Sequence, residues 1–157
     1  MRGDLLAVDP GIRACGCAWF RNGVLARAAL VRNPLASGDG AREILAMASA
    51  CDKWIGGLGA IGWDAVAERM QVYRGAGAKG DPADLITLSL VTGALHPTAL
   101  YLPREWKGQV PKAIAAARTV ARLSAEEEAR IETAGALTHN IMDAVGIGLF
   151  HLGRLRG

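Results

Sequence analysis

The earliest ordered pattern in the chain is Leu5-Leu6-Ala7-Val8-Asp9-Pro10-Gly11, followed at once by Cys15-Gly16-Cys17-Ala18-Trp19-Phe20. Leu5 to Val8 form an apolar run too short for a helix, and Pro10-Gly11 forces a turn after it. The run therefore reads as a buried strand ending in a carboxylate. Residues 15–20 resume the strand pattern. Asn22-Gly23 is a strong two-residue hairpin signal, and residues 24–31 return along it. Three antiparallel strands thus begin the domain.

Outward from that meander, residues 33–40 read as a loop, and from Ala41 the period becomes helical. Ile44, Met47, Ala48, Cys51, Trp54, Ile55 and Leu58 then recur on one face. Residues 56–62 break that helix, and residues 65–68 form a short strand closed by Glu68. Residues 75–80 are a glycine-rich connector containing Lys79. Asp81-Pro82 has the form of an N-cap followed by proline at the first helical position, so a helix is expected over 83–95. Its apolar residues, among them Leu85, Ile86, Leu88, Leu90 and Val91, circle most of the helix. That pattern predicts the sheet on one side and a second subunit on the other.

Residues 99–102 read as a fifth strand, 103–111 as a loop and 112–123 as a helix. Ser124 with Glu127 is a capping-box pattern. A last helix opens near Thr138 and directs Ile141, Val145, Leu149 and Leu152 to the core. The order is three strands, helix, strand, helix, strand, helices, which is an α/β arrangement in one domain.

A chain of 157 residues can bury about 70% of its unfolded surface without staples. No stretch approaches the roughly 20 apolar residues that span a bilayer, and the start lacks a secretory apolar region. The expected compartment is the cytoplasm, of a bacterium or a phage-infected cell. Cys15, Cys17 and Cys51 are an odd set with no zinc spacing and read as buried, reduced thiols. A net charge of +3 permits a phosphate-binding face without demanding one.

The chemistry rests on Asp9, Glu68 and Asp143. Asp9 ends a buried strand, where it either caps the turn or binds something. Glu68, inside Ala65-Val66-Ala67-Glu68, has no capping role and is costly to bury unless paired or metal-bound. Arg69 points to the opposite face, and Asp64 lies roughly 13 Å along the strand. His139 and Asn140 precede Asp143 by four and three positions, on neighbouring points of one helix face. Helix capping by Thr138 or Asn140 is the alternative for that cluster. Carboxylates suit divalent metals, and hydrolysis of a phosphodiester calls for two Mg²⁺ ions about 3.5 to 4 Å apart.

The opening Leu5 to Gly11 with Cys15 to Ala18, the strand Ala65 to Glu68, and His139-Asn140-Ile141-Met142-Asp143-Ala144-Val145-Gly146-Ile147 together resemble RuvC-type Holliday junction resolvases. These are members of the RNase H-like superfamily, and the resemblance covers nearly the whole chain in order. It implies an RNase H-like five-stranded mixed sheet, three antiparallel strands first and then two parallel, flanked by helices. It also implies a homodimeric endonuclease that cuts branched DNA, the four-way junction, symmetrically. Asp9, Glu68 and Asp143 carry over as metal ligands. Where the family commonly has Asp or His three positions before the last Asp, this chain has Asn140. Either Asn140 is a neutral ligand or His139 takes its place, and His139 is also a candidate general base. A softer ligand set adds Mn²⁺ to the expected metals.

The Trp106-Lys107-Gly108 loop with Lys112 resembles the family segment that brings basic residues to the scissile phosphate, in the shorter spacing of phage-type relatives. Lys107 and Lys112 are the expected phosphate contacts. Arg13, Arg69, Arg74 and Lys79 are candidates to track the backbone, and Tyr73 to stack on an unpaired base. Three rivals remain: an actin-like or sugar-kinase ATPase, for which the chain has no room; a YqgF-type RNA-processing nuclease; and a noncatalytic branched nucleic-acid-binding module with a degenerate metal site. A branch-migration motor as partner is left open by the sequence.

Overall fold

A computed structural model describes residues 3–35, 40–72 and 81–156 of the chain. Its centre is a five-stranded sheet in the order β3-β2-β1-β4-β5. The strands are β1 (Asp4–Asp9), β2 (Ala14–Arg21), β3 (Val24–Arg32), β4 (Trp63–Glu68) and β5 (Ala99–Tyr101). The first three are antiparallel, and β4 and β5 add to β1 in parallel, as expected. Asn22 and Gly23 both take positive φ at the β2–β3 turn, the conformation that a tight hairpin requires.

Alternation along β1 sorts its side chains. Leu5 and Ala7 face one hydrophobic cluster with Phe20, Val66, Trp106 and the last helix, while Leu6 and Val8 face a second with Met47, Cys51 and Ile55. Helix α1 (Ala41–Gly57) covers the second face, burying Ile44, Met47, Ala48, Cys51 and Ile55 on the predicted stripe. Cys15, Cys17 and Cys51 are free and buried, and Cys17 Sγ lies 3.7 Å from Cys51 Sγ.

Helix α2 (Pro82–Ala94) begins as predicted, with the Asp81 carboxylate accepting from the Ala83 N–H. The sheet is the expected partner on one side, but α2 packs chiefly on α1, and the side assigned to a second subunit is open in the single chain. Val91 and Thr92 are buried, but Ile86 and Leu90 are 64% and 53% exposed. One side packs on α1 and the other meets solvent.

The predicted loop over 103–111 contains a turn of helix, α3 (Pro103–Trp106). Proline at its first position has no N–H to lose, and the Glu105 carboxylate takes the Leu102 N–H at 2.6 Å. Helix α4 (Lys112–Val120) is shorter than expected, and α5 (Ala125–Glu128) is opened by the Ser124–Glu127 capping box. The chain then bridges the open edge of β3 at Ala28 and Ile131. A 3-10 turn (Gly135–Leu137) leads into α6 (Thr138–His151). Among the described residues no helix is long and apolar enough to cross a membrane.

Helix α6 lies close on the sheet because glycines meet there. Gly16 is the register partner of Asp9, and a Cβ at Gly16 would stand 1.9 Å from the Asn140 carbonyl oxygen. On α6 itself, a Cβ at Gly148 would collide with Phe20, and one at Gly146 with the Trp106 ring.

Candidate active site

Asp9 and Glu68 end adjacent parallel strands one step beyond the Val8–Ala67 pair. Both have the parity of Ala7 and Val66, so both side chains lie on the α6 face of the sheet. Asp143 is one turn beyond Asn140, whose backbone rests on Gly16 beside Asp9. The three carboxylates are thus brought together from three elements by strand register and helix seating.

Their charges interact. Burial, first, and then the negative charges of Glu68 and Asp143 push the Asp9 carboxyl well above its usual range, against the pull of Lys107 and Lys112. Glu68 is also raised, chiefly by burial, with Lys107 and a hydrogen bond from Trp106 opposing. Both carboxyls are therefore penalised for ionising in a desolvated site.

Lys107 is the main internal cation. Its Nζ donates to Asp143 Oδ2 at 3.2 Å and stands 3.9 Å from Glu68 Oε2. The side chains of Lys107, Glu68 and Asp143 are 19%, 15% and 21% exposed, open enough for a ligand yet largely shielded from water. The buried Trp106 donates its indole N–H to Glu68 Oε2 at 3.1 Å and places its ring under the Lys107 ammonium, 4.8 Å away.

Lys112 is exposed at the start of α4, near enough to act on the Asp9 charge. Arg13 is exposed in the β1–β2 turn, and Arg69 is exposed just past β4. Tyr73, Arg74 and Lys79 lie outside the described residues. His139 is exposed and its Nδ1 bonds the Ala136 carbonyl at 2.8 Å, an arrangement that places its proton on Nδ1. The Asn140 side chain makes no hydrogen bond among the described residues. The capping alternative finds no support: the first turn of α6 has no side-chain cap, and the Thr138 hydroxyl serves the 3-10 turn before it, bonding Ala134 N and Gly135 O.

Sequence reasoning did not name Trp106 as part of the site. The signal was present, since a buried Glu needs a partner and Trp106 adjoins Lys107, but only the fold shows that the indole faces Glu68. Among the described residues no three His, Cys, Asp or Glu side chains form a ready-made metal cage. The three carboxylates nevertheless offer an all-oxygen donor set, which suits a hard divalent cation.

No protein-family model and no curated protein matches the sequence. Solved structures do match. The structure described as T. thermophilus RuvC in complex with Holliday junction substrate aligns over 99% of both chains, with 15% identity and a TM-score of 0.61. A second Thermus thermophilus RuvC structure aligns over 98% of both chains, with 13% identity and a TM-score of 0.57. With its five strands in the order β3-β2-β1-β4-β5 and helices on both faces, the chain has the RNase H-like fold of RuvC.

Proposed function

We propose that the protein is a metal-dependent endonuclease that resolves four-way DNA junctions. The observation that carries this reading is the meeting of Asp9, Glu68 and Asp143 beneath Lys107 on a RuvC fold. Asp9, Glu68 and Asp143 would hold two Mg²⁺ ions, or Mn²⁺, with Asn140 or His139 completing the set. When bound, the ions supply activation of the attacking water and stabilisation of charge on both the attacking and leaving oxygens.

The chain's own residues do the rest. Asp9, on the rigid end of β1, sets the position of the site relative to the sheet, and Trp106 holds Glu68 by its Oε2. Lys107, bonded to Asp143 while no phosphate is present, exchanges that carboxylate for a phosphate oxygen of the DNA. Lys112 steadies the approaching phosphate from the start of α4. A homodimer fits the task, because two strands must be cut symmetrically, and the exposed Ile86 and Leu90 of α2 offer an apolar face for it.

The experiment is cleavage of a labelled synthetic four-way junction beside a matched linear duplex, with Mg²⁺, with Mn²⁺ and with EDTA, for the parent protein, Asp9→Asn and Asp143→Asn. Paired symmetric nicks in the junction alone, lost in EDTA and in both variants, are expected. Junction binding without cleavage under either metal would replace this reading with a noncatalytic module.

A further inference from the structure

Beyond the carboxylates, the α6 side of the molecule carries a groove of about 490 Å³ lined by Arg118, Ala121, Arg122, Leu155 and Arg156. A narrow cleft lined by Trp106, Lys107, Ala115, Arg118, Thr119, Leu155 and Arg156 runs into it. Arg118, Leu155 and Arg156 belong to both, so the two are continuous, and the path starts at the lysine that touches Asp143.

All three arginines are exposed, and none has an ion-pair or hydrogen-bond partner for its side chain among the described residues. No carboxylate lines either cavity. Glu127, close in sequence, is committed to Arg154 through two bonds of 2.6 and 2.8 Å. The groove is also firmly built. Arg154 further ties the Gly23 and Arg122 carbonyls, and buried Leu155 anchors the chain beside Arg156. Unpaired guanidinium groups on a rigid wall repel one another unless an anion lies between them, and their planar forks suit phosphate oxygens. No aromatic side chain lines the wide groove to read a base, so contacts there would position a backbone rather than specify a sequence.

We infer that the path from Lys107 through Arg118, Arg156 and Arg122 is a phosphate track that holds one duplex arm of the DNA as it leaves the cleavage site. The inference rests on the proposed nuclease function and adds a binding surface to it. None of the three arginines stood out in the sequence, because they are scattered between α4 and the C-terminal segment.

The test is fluorescence anisotropy in EDTA, with a labelled four-way junction and a labelled duplex of one arm's sequence, titrated at a series of salt concentrations. The triple variant Arg118→Gln/Arg122→Gln/Arg156→Gln is compared with the parent and with Arg42→Gln/Lys53→Gln, exposed positions on α1 across the sheet. The salt dependence of log K should become shallower by about 2 to 3 in slope for the triple variant on both DNAs, with an unchanged melting temperature and no change in the α1 variant. A slope equal to the parent's, or equally reduced in the α1 variant, would overturn the track while leaving the nuclease reading intact. Failure of the parent to bind either DNA would remove both readings.

Discussion

Lys107 Nζ donates to Asp143 Oδ2 at 3.2 Å while standing 3.9 Å from Glu68 Oε2, so one ammonium lies between two of the three carboxylates. A divalent cation at those carboxylates would compete with it for the same oxygens. Lys107→Met should therefore lower the melting temperature without metal, since the carboxylates lose their main counter-charge. It should also lower the half-saturating Mn²⁺ concentration in a thermal-shift titration by about fivefold, equivalent to roughly 1 kcal/mol. Unchanged Mn²⁺ affinity would show that the ammonium does not compete.

Asp9 carries the opposite expectation. Its carboxyl is held above its usual range by burial and by Glu68 and Asp143, so its ionised form opposes folding. That cost is absent below the ordinary carboxylate range and grows as pH rises through the raised folded-state value. At neutral pH without metal, Asp9→Asn should raise the melting temperature by about 2 °C or more while abolishing cleavage. A lower melting temperature would show that Asp9 is held by favourable bonds.

Glu127 answers to acid. Bonds from Arg154 first, and then from the Ser124 and Leu25 N–H groups, bring its carboxyl down to about 2. Its stabilisation is fully present above the ordinary Glu range and is lost as pH falls toward 2. Glu127→Gln should destabilise by about 2 to 4 kcal/mol at neutral pH, because it leaves Arg154 without its anion. The difference from the parent should shrink as pH falls below the ordinary Glu range, which denaturant melts across that interval will measure.

Gly16 controls the distance between the helix and the sheet. A Cβ there meets the Asn140 carbonyl, a backbone atom that cannot swing aside. Gly16→Ala should cost about 3 kcal/mol, and in the surviving fold it should reduce cleavage by displacing Asp143 from Asp9. Cleavage equal to the parent's, with stability lost, would show that the site does not depend on this seating.

The strands, their order along the chain and the main helices were legible in the sequence because each is a local matter. Residues 5–9 carry their own apolar run, Asn22-Gly23 its own turn, and Ser124 with Glu127 its own cap. Asp9, Glu68 and Asp143 stood out for the same reason, as acids among apolar neighbours. What stayed hidden depends on partners far along the chain. Trp106 reaches back 38 residues to Glu68, and Pro103–Trp106 forms helix because Glu105 and the core hold it. The exposed flank of α2 could not be told from a buried one, since periodicity reports apolar character and not what covers it.

By itself, then, the sequence determined the strand meander, the helical faces and the three carboxylates, because period-2 and period-3.6 patterns and turn residues act over a few neighbours. Only the tertiary structure decided that Gly16 seats α6 beside Asp9, that Lys107 bonds Asp143, and that Arg118, Arg122 and Arg156 share one groove. Those relations arise from the crossing of elements, where register and close packing bring together side chains that no local pattern connects.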